Sequence, residues 1–140
     1  MHAARLDDQL CFALYTAQRT VTAAYRPLLD ELGITYPQYL VLLVLWEDGP
    51  CSVSHLGERL QLDSGTLSPL LKRLEAVGLV ARRRSADDER RVEVSLTEAG
   101  TRLEDRAACV PERLLAGSGA SETELVELRD ALKHLVRQMQ

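Results

Sequence analysis

The stretch Ser52-Val53-Ser54-His55-Leu56-Gly57-Glu58-Arg59-Leu60-Gln61-Leu62-Asp63-Ser64-Gly65-Thr66-Leu67-Ser68-Pro69-Leu70-Leu71-Lys72-Arg73-Leu74 decides the fold. In its first part Val53, Leu56 and Leu60 fall on one helical face. Gln61-Leu62-Asp63 reads as a three-residue turn. From Ser64 to about Val77, Leu67, Leu70, Leu71 and Leu74 recur at the spacing of an amphipathic helix. Two short helices about such a turn make a helix-turn-helix. After Gly78 the apolar period changes from helical to alternating. Val80 lies in one run, and Val92, Val94 and Leu96 alternate in a second. Between them runs the polar loop Ser85-Ala86-Asp87-Asp88-Glu89-Arg90, so the pattern is a β-hairpin with a charged tip. A helix-turn-helix followed by such a hairpin is a winged helix-turn-helix, whose second helix is the reading element.

The chemistry of that helix suits double-stranded DNA. Opposite the leucines stand Ser64, Gly65, Thr66, Ser68, Pro69, Lys72, Arg73 and Ala76. Small residues allow close approach to a major groove. Ser and Thr hydroxyls bond base edges or phosphates, and Lys72 and Arg73 reach the backbone or guanine. Pro69 sits awkwardly in a helix interior. The hairpin supplies Arg82, Arg83, Arg84, Arg90 and Arg91, and an arginine near its tip can enter a minor groove. Asp88 is placed to orient Arg90 by a charge-assisted bond. A hairpin carrying such charge can also be a solvated surface that binds nothing; its position beside a helix-turn-helix favours DNA.

Composition fits one domain. The chain has 140 residues, is 46% apolar and 27% charged, and has a net charge of −4. That excludes a disordered or disulfide-stapled chain. No apolar run reaches the roughly 18 residues of a membrane span, and no secretory signal is visible, so a cytoplasmic protein is expected. Three cysteines without metal-like spacing fit a reducing compartment. His2, His55 and His134 are scattered, and neither metal nor cofactor is expected. The acidic total hides a basic reading unit: residues 59–91 carry eight basic side chains against five acidic ones.

The flanks read as helices. Leu6, Leu10, Leu14, Ala17 and Val21 share a face of a first helix from about Leu6 to Tyr25. Arg26-Pro27 is expected to break it, and Gly33 to stop a short following turn. Thr35 caps a second, nearly all-apolar helix with Pro37 in its first turn, ended by Asp48-Gly49-Pro50. Thr97 caps a later helix carrying Leu103, Ala107, Val110 and Leu114, with a kink expected at Pro111. Ser121 and Glu124 form a capping box for a last helix, whose Leu125, Leu128, Leu132, Leu135 and Met139 form a coiled-coil-like seam. The fold class is therefore mainly α with a small β-hairpin wing. The seam wants a partner helix, so residues 6–48 and 98–139 are expected to pack together and against a second subunit, with residues 51–97 as the reading part.

All six aromatic residues lie between Phe12 and Trp46. Cys11 and Tyr15 share a flank of the first helix, at the edge of its apolar stripe. Tyr25, Tyr36 and Tyr39 complete the phenols. Phenolic O–H groups donating to a thiolate stabilise its charged form, and such a thiolate reacts with a peroxide to give a sulfenic acid. The same spacing also fits a small packed Cys11 among ordinary core tyrosines, and spacing alone leaves both readings open. Cys51 and Cys109 read as inert packing, Cys109 on the apolar side of a helix.

These motifs resemble the MarR-type repressors, and more closely their organic-hydroperoxide-sensing branch, OhrR. The general features are the winged helix and Asp88-Glu89-Arg90-Arg91 followed by Leu96-Thr97-Glu98-Ala99-Gly100. The branch features are Leu6 to Tyr15 around Cys11, Tyr25-Arg26-Pro27-Leu28-Leu29, Ile34 to Leu40, Leu45-Trp46-Glu47 and Leu62 to Arg73. The resemblance covers about residues 6–139, loosely in the last forty. It implies a homodimer, built on its N- and C-terminal helices, that binds a palindromic operator while Cys11 is reduced. It implies that Tyr25 and Tyr36 reach the thiolate from the opposite subunit with Tyr15 nearby. Organic hydroperoxide would then oxidise Cys11, break the tyrosine network, move the wings and release DNA, derepressing a peroxide-detoxifying gene.

Some members carry a second cysteine before the last helix; Ala116 and Ala120 stand here instead. The resemblance therefore implies the one-cysteine type, with a small external thiol capping oxidised Cys11 or with overoxidation. A bridge to Cys109 remains an alternative. Two rival readings are a repressor induced by a small phenolic ligand, which gives Cys11 no role, and a one-cysteine thiol peroxidase, for which no turnover or reductant-docking motif is evident.

Overall fold

The computed structural model describes residues 5–140; His2 lies outside them. The chain forms two compact units, one ending at Ala108 and the other spanning Cys109–Gln140.

In the first unit a 3-10 turn, Leu6–Asp8, precedes helix α1, Leu10–Asp30. The break expected at Arg26-Pro27 is absent, because α1 runs straight through Pro27. Residues 23 and 27 are both exposed, so water can satisfy the carbonyl that proline leaves without a donor. Burial of Leu29 in the next turn holds the helix in place. Helix α2, Tyr36–Asp48, begins with a full capping box: Thr35 Oγ1 accepts from Gln38 N, and Gln38 Oε1 accepts from Thr35 N at 2.9 Å. It is the core helix. Tyr39, Val41, Leu42, Val44 and Leu45 are all buried.

Strand β1, Cys51–Ser52, is a short addition that alternation could not signal. Helix α3, Val53–Leu60, is capped by the Ser52 hydroxyl and ends at Gln61, whose φ of 55° turns the chain left-handed. Helix α4, Ser64–Ala76, follows, with Asp63 as its cap. Strands β2, Val80–Arg84, and β3, Val92–Leu96, form the hairpin. The sheet order is β1-β3-β2, antiparallel throughout, with Val80 opposite Leu96 and Cys51 opposite Val94.

Helix α5, Glu98–Ala107, starts at the Thr97 cap and lies against this sheet. Its Gly100 is required by close approach: a Cβ there would fall on the Leu79 carbonyl oxygen. The Gly100 carbonyl in turn accepts from Trp46 Nε1 at 3.0 Å, which joins α2 to α5.

In the second unit, helices α6, Val110–Ser118, and α7, Glu122–Met139, follow one another. The single kinked helix expected across Pro111 is two helices. Proline occupies the first turn of α6, where a missing N–H costs nothing, so the chain breaks before it. Ser121 caps α7 through the Glu124 amide. Leu128 and Met139 of the expected seam are 56% and 78% exposed on one chain, and Leu6, Leu10 and Val21 are likewise uncovered on the N-terminal segment. Apolar stripes of this length call for a partner surface.

Candidate functional site

The face of α4 is as its periodicity requires. Leu67, Leu70, Leu71 and Leu74 are buried, while Ser64, Gly65, Thr66, Ser68, Pro69, Lys72, Arg73 and Ala76 are exposed. Asp63 fixes the start of this helix: its Oδ1 accepts from the Thr66 amide at 2.7 Å. That bond holds the Asp63 carboxyl below the usual carboxylate range. A negative cap also suits the positive end of the helix dipole.

The five wing arginines have different duties. Arg82 Nε donates to Glu75 Oε2 at 3.0 Å, so β2 is tied to the last turn of α4. Arg84 Nη1 donates to the Glu89 carbonyl at 2.8 Å and closes the base of the tip. Arg83, Arg90 and Arg91 are exposed and hold out their charge. Asp88 does not engage the Arg90 guanidinium as expected. Its Oδ1 accepts the Arg90 backbone N–H at 3.0 Å, and its carbonyl accepts the Arg91 N–H at 2.9 Å. A short carboxylate reaches the amide two residues on more readily than a guanidinium at the end of a long chain, so Asp88 shapes the turn.

A second cluster escaped the sequence reading. Asp48 Oδ2 accepts from Arg59 Nη1 at 2.5 Å and pairs with His55 Nε2 at 2.7 Å, while Glu47 Oε2 accepts from Arg59 Nη2 at 3.0 Å. The clamp joins the end of α2 to α3. His55 therefore does meet a carboxylate, seven residues away and across a turn. Bonds from His55 first, then Arg59, hold the Asp48 carboxyl below its ordinary range. Beside it, burial and then the Asp48 charge push the Cys51 thiol up, which leaves it a poor nucleophile. Among the described residues no group of three His, Cys, Asp or Glu side chains could hold a metal ion.

The phenols gather where α1 meets α2. Ring centroids lie 4.9 Å apart for Tyr25–Tyr36, 6.1 Å for Tyr25–Tyr39 and 6.5 Å for Tyr36–Tyr39. Burial, and then the neighbouring Tyr36, push the Tyr25 phenol up, so it stays a protonated donor at neutral pH. A cavity of about 860 Å³ opens beside them, lined in part by Arg19, Arg26, Ile34, Tyr36 and Pro37.

Cys11 is exposed on the same chain, near the start of α1. Fourteen residues of continuous helix separate it from Tyr25, which is about 21 Å along the axis at 1.5 Å per residue. Tyr15 stands apart from the other phenols within the chain, exposed, with the Arg19 guanidinium 5.2 Å above its ring. Cys109, expected on the apolar side of a helix, is exposed at the α5–α6 break.

Comparison with known proteins agrees with this layout. The family model for the transcriptional regulators SarA/Rot matches residues 23–106. The organic hydroperoxide resistance transcriptional regulator of Bacillus subtilis (strain 168) is 51% identical over 132 residues, 94% of this chain and 90% of that protein. Among solved structures, reduced AbfR bound to DNA has a TM-score of 0.75 at 42% identity, covering 94% of this chain and 95% of that one. Overoxidized AbfR bound to DNA gives 0.75 at 40%, covering 96% and 99%; AbfR is from Staphylococcus epidermidis. These relatives are regulators, not enzymes. With its helix-turn-helix, three-stranded wing and flanking helices, the chain belongs to the MarR family of winged-helix transcriptional regulators, in the organic hydroperoxide resistance branch.

Proposed function

We propose that this protein is a cytoplasmic homodimeric repressor that holds a palindromic operator through α4 and the wing, and releases it when an organic hydroperoxide oxidises Cys11. The observation that carries the sensing reading is the distance along α1. Cys11 cannot meet Tyr25 and Tyr36 of its own chain, whereas a second copy lying antiparallel along α1 brings its thiol to them. The uncovered apolar stripes of α1 and α7 favour such a copy. AbfR has been solved reduced and bound to DNA and also in a disulfide form, so a relative of this chain has thiols that change redox state.

In the reduced dimer, Tyr25 and Tyr36 donate from their phenols to the partner's thiolate. The thiolate sulfur attacks the distal oxygen of the hydroperoxide. An S–O bond forms as the O–O bond breaks, and the departing alkoxide takes a proton to leave as an alcohol. The resulting sulfenic acid no longer matches the phenol donors, and α1 shifts against its partner. A small thiol then condenses with the sulfenic acid, giving a mixed disulfide and water. On the DNA side, Ser64, Gly65, Thr66, Ser68, Lys72 and Arg73 approach the major groove. Arg83 and Arg90 serve the minor groove or phosphates, while Arg82, Arg84 and Asp88 set the wing that carries them.

The test is release of fluorescent operator DNA on titration with cumene hydroperoxide. Cys11→Ser should bind as wild type does and fail to release. Release of that variant at the wild-type dose would sink the sensing reading and favour a non-covalent ligand instead.

A further inference from the structure

Helix α4 is continuous from Ser64 to Ala76 although Pro69 lies inside it. A proline nitrogen carries no hydrogen, so residue 69 cannot make the α-helical bond to the carbonyl of residue 65. Its ring also crowds that carbonyl and tilts it outward. Gly65, whose carbonyl is concerned, is itself exposed and shares a stripe with Pro69, Lys72 and Arg73. Gly65 adds no side chain to screen that carbonyl; even a Cβ there would meet only Asp63 Oδ1, at 3.5 Å. Gly65, Ser68, Pro69, Lys72 and Arg82 line one shallow depression between the helix and the wing. In the free protein water can supply the donor that proline withholds. Against DNA the carbonyl must find a donor or pay for its dehydration.

We propose that Pro69 frees the Gly65 carbonyl to read a base. It accepts a hydrogen bond from the exocyclic amine of cytosine or adenine, the two donors that base edges present in the major groove. The inference rests on α4 being the reading helix. It supplies what the other groups on this face lack. Lys72 and Arg73 only donate, and the hydroxyls of Thr66 and Ser68 accept or donate. A carbonyl accepts only, so it selects an amine and repels guanine O6 or thymine O4 at the same place.

The experiment is selection of a random duplex library by the full-length reduced protein, wild type and Pro69→Ala side by side. Alanine restores the missing N–H and is the better helix former, so this variant should melt no lower than wild type. It should lose preference at one amine-bearing position per half-site, by about threefold to tenfold, the factor a single hydrogen bond is worth. Replacing that adenine by 2-aminopurine, or that cytosine by 2-pyrimidinone, should weaken wild type and leave Pro69→Ala unchanged. Identical preferences for the two proteins, or equal weakening by the analogues, would overturn the proposal. If Pro69→Ala does not fold, the analogue series on wild type decides: an amine whose removal costs nothing at every position of the half-site refutes it. Should wild type enrich no sequence, the reading of α4 as a DNA reader falls first, and this proposal with it.

Discussion

The Arg82 guanidinium meets the Glu75 carboxylate at 3.0 Å, and that contact sets the wing against the end of the reading helix. Both groups are partly exposed, so the pair adds under about 1 kcal/mol to stability. Its larger effect is on where the wing charge stands. Glu75→Gln should weaken operator binding while leaving the slope of log K against log salt unchanged, because no phosphate contact is lost. Arg83→Ala or Arg90→Ala should reduce that slope by about one per contact removed. Anisotropy titrations across a salt series measure both.

The separation of Cys11 from Tyr25 makes a complementation test decisive. A heterodimer of a Cys11→Ser chain with a Tyr25→Phe/Tyr36→Phe chain keeps one wholly native site if the site spans two subunits. If the site lies within a chain, it keeps none. The single Cys11 of the mixed dimer should therefore oxidise at the wild-type rate, followed by mass spectrometry. Oxidation only at the slow rate of the Tyr25→Phe/Tyr36→Phe homodimer would contradict the shared site.

Two depressed carboxylates predict acid sensitivity of the reading unit. A carboxyl whose folded pKa lies below its unfolded value of about 3.9 stabilises the fold fully above that value. The contribution is lost as pH falls through the folded pKa. Asp48 and Asp63 both behave so. Asp63→Asn keeps an acceptor for the Thr66 amide and should retain most of the melting temperature at pH 7, whereas Asp63→Ala should lower it. Both variants should show a weaker acid dependence than wild type below about pH 4. Thermal melts from pH 3 to 7 would reveal an unchanged acid limb if the cap were irrelevant.

Gly100→Ala should be costly. The new Cβ would strike the Leu79 carbonyl, backbone against backbone, so α5 must move. Overpacking of this kind costs about 1–3 kcal/mol. Trp46 is the sole tryptophan and donates to the Gly100 carbonyl, so its emission should report the displacement directly. A native-like spectrum with an unchanged denaturation midpoint would refute this.

Residues in sequence determined the helix faces, the caps and the reading motif. The leucines of α4, Thr35 with Gln38, and Thr97 needed no tertiary knowledge, because periodicity and capping act within one or two turns. The tertiary structure decided the rest. Pro27 is tolerated because Leu29 is anchored and its lost bond faces water. Two-residue β1 exists only because β3 offers an edge. The Asp48–His55–Arg59 clamp and the Glu75–Arg82 pair depend on how separate elements meet, which no local spacing encodes. The crowding of aromatics before residue 47 was legible in the sequence. Only the unbroken course of α1 divided it, placing Tyr25 and Tyr36 at one end and Cys11 at the other, since a rigid helix keeps its two ends apart.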